Sequence, residues 1–228
     1  MLAGVSTAGA SVAVSQITRL DCYRTLQRIT FPLQIQKNGG LGRGTCFATY
    51  HFESHVLATA RHTVEQQPAV PGREGELCLA GEAQISGVWE PFMVVKPLND
   101  AVDRVSRNLD LVLLDLVNTD APPGLQLAPT PPCAWGIAAG YYMNTDVVVP
   151  AFHTAEGTIN WHGRFNMSIA THSDKAYSGG PIIDQDKHLV GMVQMGMGHV
   201  VKLVIGPRAD VLSFFMLVMG FSALSSGT

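Results

Sequence analysis

Charged residues and cysteines are both scarce in this chain. Asp, Glu, Lys and Arg make up 14% of the 228 residues, and the formal net charge is -3. The Lys and Arg residues are scattered, so the sequence provides no basic face for a nucleic-acid partner. The cysteines form no C-x-x-C pair, which argues against a zinc site or dithiol redox chemistry. We interpret them as small buried hydrophobic residues, with two disulfides as the alternative; they are Cys22, Cys46, Cys78 and Cys133.

The chain also lacks the features of a secretory signal and of a complete membrane span. Residues 1–14 are rich in small residues but have no basic start followed by a dense apolar run. We interpret residues 1–30 as an N-terminal leader, with a helix or a strand around residues 15–28. The apolar run at residues 211–224 is shorter than the roughly 20 residues of a membrane helix, so we predict a docked C-terminal helix. An intracellular, cytoplasmic location is favoured; excision from a larger polyprotein, with the tail as part of a longer membrane span, is the alternative.

Short apolar runs separated by turn residues fill the rest of the chain, and this pattern predicts an all-β barrel or sandwich. Hydrophobic residues account for 46% of the composition, enough for a well-buried core. The prolines from Ala121 to Pro132 cannot continue a sheet or a helix, so this stretch divides the chain into two strand-rich halves. Convincing helical periodicity occurs only near the C-terminus. The predicted strands are residues 31–36, 44–52, 55–60, 76–79, 88–95, 109–117, 147–152, 158–161, 188–195 and 200–205.

Three segments place chemically useful side chains beside predicted strands. His62 follows directly after a strand that ends in small residues, so it can face a cleft. Asp110 precedes an unbroken apolar run, where a partly buried carboxylate needs a hydrogen-bond donor. Ser178 stands before Gly-Gly-Pro in a tight turn, which lets its hydroxyl project while the backbone N–H groups donate. Each signal is weak alone, because a single histidine or serine is more often a packed or surface residue.

Taken in chain order, these segments resemble the trypsin/chymotrypsin-like serine peptidase superfamily, whose members carry His, Asp and Ser in that order. The family's Thr-Ala-x-His pattern is matched at residues 59–62, and its Asp-hydrophobic-x-Leu-Leu pattern at residues 110–114. Its Ser-Gly-Gly-Pro pattern is matched in full at residues 178–181, with a Val-Gly-hydrophobic strand at residues 190–192. The resemblance covers roughly residues 31–205. No cysteine flanks His62, which is more typical of the compact viral, bacterial or intracellular members.

The resemblance implies an all-β fold of two six-stranded antiparallel β-barrels, with the active site between them and a C-terminal helix. Residues 31–120 would form the first barrel, 121–132 the linker, 133–210 the second barrel and 211–228 a C-terminal apolar segment. The implied activity is peptide-bond cleavage through an acyl-enzyme intermediate on polypeptide substrates. Ser178 would be the nucleophile, His62 the general base and acid, and Asp110 the orienting acid. No cofactor and no metal are expected.

The family's remaining site positions lie close to Ser178 in the sequence or follow it. The backbone N–H groups of Ala176 and Ser178 match the oxyanion hole. Because the family usually has glycine where this chain has Ala176, a catalytically idle or activator-dependent binding protein is the alternative function. An apolar or small side chain is expected before the cleaved bond. The matching substrate-binding positions, two in the primary pocket and two in a strand that pairs with substrate, are His172, Ser173, Gln194 and Gly196.

Other assignments have less support from the sequence. Asp103 and Asp115 lie near Asp110, but no predicted strand follows the first and the second comes at the end of the apolar run. An esterase would carry a G-x-S-x-G elbow, which is absent. His51 and His55 are four residues apart but flank a predicted hairpin turn, and no H-E-x-x-H motif is present. Surface histidines are therefore favoured over a metal site.

Overall fold

Helix α1 is the first element of the computed structural model, which describes residues 14–51, 54–66, 76–97, 99–129, 131–132, 134–142, 149–162, 166–171, 178–197 and 202–207. The helix spans Gln16–Ile29 and begins at Ser15, whose hydroxyl accepts a hydrogen bond from the N–H of Thr18 at 3.1 Å. Cys22 and Ile29 are two turns apart, so they share one face, and both are buried. Residues 15–28, for which the sequence allowed either a helix or a strand, therefore form a helix that packs against the core.

Six antiparallel strands form the first barrel. They are β1 (Thr30–Lys37), β2 (Gly40–His51), β3 (Ser54–Ala60), β4 (Ala80–Ile85), β5 (Val88–Val94) and β6 (Leu111–Leu116). Their order is β1-β4-β5-β6-β3-β2, and a direct pairing of β1 with β2 closes the cylinder. The short strand β7 (Leu125–Gln126) adds to β2 in parallel. Closure pairs the edges that an open sheet would leave exposed.

Apolar side chains from alternate strand positions fill this barrel. Leu33, Leu57, Phe92 and Leu114 are 0–1% exposed. Removing each such side chain from water contributes about 1.5–3 kcal/mol relative to leaving it exposed. The same apolar cluster continues through α1 and into the second half of the chain, where it includes Trp135. The two halves therefore share one core in addition to their own.

The second half of the chain forms one curved sheet of seven strands. They are β8 (Trp135–Tyr142), β9 (Ala151–His162), β10 (Asn166–Thr171), β11 (Pro181–Asp184), β12 (Leu189–Met192), β13 (Met195–Met197) and β14 (Lys202–Pro207). Their order is β12-β11-β8-β9-β10-β14-β13, so the two outer strands are consecutive in the chain. Only Val193 and Gln194 separate β12 from β13, which means that the sheet curls until its ends meet at this link. The predicted fold class, a double β-barrel, is confirmed.

Two helices were not predicted from the sequence, and both carry residues near the site. Helix α2 (Arg61–Val64) directly follows β3. Helix α3 (Asp100–Leu109) lies between two predicted strands, where no helix was predicted. Its side chains are mostly polar, and only Val102, Ser106 and Leu109 are buried on it. Val102, Val105 and Leu109 nevertheless recur at helical spacing, so the sequence does contain an amphipathic pattern that indicates a helix here.

Some strand boundaries also differ from the prediction. Residues 147–152 and 158–161 were expected as two strands, but residues 151–162 form one strand, β9, because Gly157 pairs directly with Gly136 and does not break it. Residues 76–79 form only a single bridge, between Leu77 and Glu65. Strands β4, β7, β8, β10 and β11 were not predicted. The expected C-terminal helix lies outside the described residues, and none of the helices described is long and apolar enough to cross a bilayer.

The described cysteines are packed in the interior. Cys22, Cys46 and Cys78 are buried free thiols, as predicted for cysteines used as small hydrophobic residues; Cys133 lies outside the described residues. Burial raises the pKa of the Cys22 thiol to about 11. Burial also raises the pKa of Cys46 and of Cys78. These thiols therefore stay protonated and poorly nucleophilic at neutral pH.

The N-terminus of α3 provides a test of how this helix is anchored. The Asn99 side chain accepts hydrogen bonds from the N–H groups of Ala101 and Val102 at 3.0 and 3.1 Å. Asn99→Ala should lower the free energy of unfolding by about 1 kcal/mol, because these two N–H groups lose their acceptor. Urea unfolding measures the change. Asn108→Ala, an exposed asparagine in the last turn of the same helix, is the control; equal midpoints for the two variants would contradict the assignment.

Candidate active site

Antiparallel pairing of β3 with β6 brings His62 and Asp110 together. Ala60 at the end of β3 pairs with Leu111 at the start of β6. The backbone N–H of Arg61 then donates to the Asp110 carbonyl at 2.9 Å. The His62 N–H donates to Asp110 Oδ1 at 2.8 Å, and His62 Nδ1 lies 2.6 Å from Asp110 Oδ2. Both carboxylate oxygens of Asp110 therefore contact the same residue.

The conformation of Asp110 is unusual for a residue with a side chain. It ends α3 in the left-handed region, with φ 50° and ψ 45°, and its N–H donates back to the carbonyls of Ser106 and Arg107. Aspartate tolerates this region better than most residues, yet the conformation persists only where the surroundings hold it. The Asp110 side chain is 23% exposed and that of His62 46% exposed. The pair is thus accessible at one end of the barrel.

The two other acids that the sequence left open are engaged elsewhere. Asp103 contacts Arg61 and Arg107. Asp115 is exposed on β6. Only Asp110 among these three contacts His62 within the described part of the chain. The geometry therefore favours the aspartate that the sequence pattern favoured.

The turn that carries Ser178 packs directly against the first barrel. The N–H of Thr45 donates to the Ser178 carbonyl at 3.3 Å. Gly179 follows with φ +83°, and its N–H donates to the Val193 carbonyl at 2.8 Å. A Cβ on Gly179 would lie 2.2 Å from the Thr45 carbonyl oxygen and 2.4 Å from Thr59 Oγ1. Both the backbone conformation and the close approach of the two barrels therefore require glycine here.

The Ser178 hydroxyl points at a backbone carbonyl. It donates to the Gln194 carbonyl oxygen at 3.0 Å. Over the described residues, no hydrogen bond joins this hydroxyl to the His62 ring. The Gln194 side chain in turn donates from Nε2 to the Leu109 carbonyl at 2.7 Å, next to Asp110. Gln194 thus joins Ser178 of the second barrel to the residue that precedes Asp110 in the first half of the chain.

A comparison with protein families identifies the class of this site. The sequence profile of the family described as the trypsin-like peptidase domain matches residues 43–192, a span that contains His62, Asp110 and Ser178. The chain belongs to this family. A comparison with curated proteins finds no match.

Solved structures of serine proteases share the fold of this trypsin-like peptidase domain. The active form of the Rv3671c protease from M. tuberculosis has a TM-score of 0.65 at 15% identity, covering 96% of this chain and 94% of that chain. Its inactive form has a TM-score of 0.63 at 16% identity, covering 91% and 96%. The thermostable serine protease AL20 from an extremophilic microorganism has a TM-score of 0.63 at 14% identity, covering 82% and 94%. At this identity, the likeness shows the fold alone.

The other predicted site residues of the peptidase domain are described only in part. Gly196 lies in β13, the last strand of its sheet, and pairs with Val204 of β14. The position of β13 at the end of the sheet order is the arrangement that addition of a substrate strand requires. Ala176, His172 and Ser173 lie outside the described residues, and their roles stay predictions.

Three contacts around the site were missed in the sequence. Thr45 connects the barrels twice, because its hydroxyl also accepts from the Tyr141 N–H at 2.8 Å. The buried Lys37 ammonium donates to the His62 carbonyl at 3.0 Å, and burial lowers its pKa. The third contact is the Gln194 amide. No sequence pattern marks these contacts, because each joins segments that are distant along the chain.

One group of side chains has a composition suited to a metal ion. The end of β11 and the turn that follows it bring together three such side chains, those of Asp184, Asp186 and His188. Asp184 Oδ1 accepts the N–H groups of Asp186 and His188 at 3.0 and 2.9 Å. These bonds explain Asp184 as the residue that builds the turn. His55, considered above for a metal, accepts from the Gly124 N–H at 3.3 Å.

The requirement for glycine after Ser178 can be tested with a matched pair. Gly87 has φ +86° like Gly179, but a Cβ there meets nothing within 4 Å. Gly87→Ala should therefore cost only the strain of the left-handed conformation, about 1–2 kcal/mol. Gly179→Ala adds overpacking against Thr45 and should cost roughly 1–3 kcal/mol more. Denaturant unfolding compares the two, and equal losses would show that the barrels do not meet as closely as described.

Proposed function

We propose that this trypsin-like peptidase domain is a serine endopeptidase that cleaves peptide bonds through an acyl-enzyme intermediate. Ser178 acts as the nucleophile, His62 as the general base and acid, and Asp110 as the orienting acid. The observation that carries the proposal is the double contact of Asp110 with the His62 N–H at 2.8 Å and with His62 Nδ1 at 2.6 Å. This contact orients the ring and selects its tautomer, as catalysis by histidine requires.

The tautomer of His62 determines what its other ring nitrogen can do. An ionised carboxylate only accepts hydrogen bonds, so the proton of a neutral ring lies on Nδ1, facing Asp110. The lone pair on Nε2 is then available to accept the proton of Ser178 when the hydroxyl attacks a carbonyl carbon. Nε2 returns that proton to the leaving amine. Asp110 stabilises the imidazolium that exists between these two steps.

The Ser178 hydroxyl has to leave the Gln194 carbonyl before it can attack. A rotation about its Cα–Cβ bond exchanges that acceptor for His62 Nε2. A neutral hydrogen bond contributes about 1 kcal/mol net, so this exchange is a small part of the barrier. A hydroxyl directed away from the base is common in peptidases without substrate, because catalytic hydrogen bonds tighten only in the complex. The oxyanion formed by the attack is stabilised by the N–H groups of Ser178 and Ala176.

A polypeptide is the proposed substrate, added as a strand along Gln194 and Gly196. The carbonyl of Gln194, which receives the Ser178 hydroxyl at 3.0 Å, then becomes available to the substrate backbone. His172 and Ser173 match the family positions at the base or wall of the primary pocket, and we propose that they contact the side chain before the cleaved bond. No aspartate stands at the position that binds Arg or Lys in trypsin-type enzymes. A small or apolar side chain is therefore preferred.

The second candidate function is an activator-dependent or idle peptidase fold used for binding. The orientation of the Ser178 hydroxyl toward Gln194 favours it, since a serine in this state is not activated by His62. Ala176 in place of the usual glycine of the oxyanion hole favours it as well. The two functions differ in whether the serine reacts without a further ligand.

Labelling with a fluorophosphonate probe tests the proposed nucleophile. The wild-type domain should be labelled, and Ser178→Ala should not, because the probe needs an activated serine hydroxyl. His62→Ala should also lose labelling. His188→Ala is the matched control, because His188 is likewise exposed and paired through Nδ1 with an aspartate, at 3.3 Å. Failure of the wild type to react under any condition would refute the active enzyme and leave the binding protein.

Cleavage of a peptide library tests the proposed specificity. Products should carry small or apolar residues at the new carboxyl end, with no enrichment of Arg, Lys or Gln. The Ser178→Ala domain provides the background, and mass spectrometry of the products identifies the cleaved bonds. Enrichment of a basic residue would contradict the assignment of the pocket while leaving the proposed nucleophile intact.

A further inference from the structure

Arg61, the residue before His62, is the largest of the fully buried side chains in the described part of the chain. Its exposed fraction is 2%. A guanidinium in the interior costs several kcal/mol unless charged and polar partners compensate it. An arginine at this place is not needed to fill the core, since a leucine or methionine of similar volume would do so without that cost. The partners of Arg61 therefore indicate what it does.

Three of the partners of Arg61 are described, one just after α2 and two on α3, and all three are close. Arg61 Nε donates to Glu65 Oε1, just after the end of α2, at 2.5 Å. Arg61 Nη1 donates to Asp103 Oδ1 and to Ser106 Oγ, both at 2.8 Å, on α3. Burial alone raises the pKa of Asp103, but hydrogen bonds from Arg107 and Arg61 outweigh it, so that pKa lies below its ordinary value. The guanidinium thus binds α3 to the segment that carries His62.

Hydrogen bonds of Arg61 reach the backbone at Asp110 directly and the backbone at Leu111 through Ser106. Ser106 Oγ accepts from Arg61 and donates onward to the Leu111 carbonyl at 2.7 Å, just after Asp110. The backbone N–H of Arg61 donates to the carbonyl of Asp110 itself at 2.9 Å. Asp110 has a left-handed φ of 50°, a conformation that requires support from its surroundings. Loss of the guanidinium would remove that support without removing any group that touches substrate.

We propose that Arg61 is a positioning residue that keeps the carboxylate of Asp110 aligned with the His62 ring by fastening α3 to α2. This proposal rests on the proposed catalytic function of His62 and Asp110, and it deepens that function. The fork of the guanidinium is essential to it, because two groups on α3 and the Glu65 carboxylate just after α2 are bound at fixed angles. Lysine carries the same charge but cannot reproduce this geometry.

Kinetics of three variants test the proposal. Arg61→Met should lower kcat about 10- to 100-fold, as expected for a displacement of the order of 1 Å at the reacting groups, and leave KM unchanged. Arg61→Lys should remain well below wild type. Arg104→Met, which removes an exposed arginine from α3, should retain full kcat. Full recovery by Arg61→Lys would overturn the proposal, because charge alone would then account for the effect.

Ser106→Ala covers the case in which Arg61→Met fails to fold. It retains every charge and removes only the hydroxyl that links Arg61 to Leu111. Proton NMR provides a readout that does not need activity, through the low-field resonance of the proton between His62 Nδ1 and Asp110. This resonance should weaken or disappear in folded Ser106→Ala and Arg61→Lys, and persist in Arg104→Met. A domain that fails to cleave peptides still reports this signal, so failure of the peptidase function is distinguishable. An unchanged resonance in both folded variants would overturn the role of Arg61.

Discussion

The junction between β3 and β6 is the constraint on which the candidate site depends. Because Ala60 pairs with Leu111, the first two residues after β3 become neighbours of the residue just before β6. His62 is one of these two residues, and Asp110 is the residue just before β6. Their side-chain contact at 2.6 Å is thus a consequence of the barrel's register. A shift of the pairing by one residue would turn the alternating side chains to opposite faces and separate the pair.

The second constraint is the contact between the barrels, because it determines where Ser178 lies relative to that pair. The Thr45 N–H donates to the Ser178 carbonyl, and the Thr45 hydroxyl accepts from the Tyr141 N–H in β8, the first strand of the second barrel. Gly179 allows the approach because it has no side chain to meet the Thr45 carbonyl. Gln194 completes the link from the other side, with its carbonyl on Ser178 and its amide on Leu109. The site is therefore held by backbone and side-chain groups of both barrels.

Much of the fold was predictable from the sequence, and the two errors discussed here have separate causes. Runs of apolar residues ending in turn residues identified most strands of the first barrel, because a half-buried strand alternates with period two. Helix α3 was missed because its composition is mostly polar, although Val102, Val105 and Leu109 recur at the spacing of a helix. Strand β9 was divided in two because glycine usually weakens a strand, whereas Gly157 here pairs with another glycine.

The sequence by itself determined the family and the residues that form the candidate site, because the motifs around His62, Asp110 and Ser178 are local and each occupies a few adjacent residues. Only the tertiary structure decided that Asp110, and neither Asp103 nor Asp115, contacts His62. It also decided that the Ser178 hydroxyl donates to Gln194 and that Arg61 of α2 is buried against α3. The physical reason is distance along the chain: Arg61 and Ser106, or Ser178 and Gln194, meet only after the strands pair, and no local pattern records such a contact.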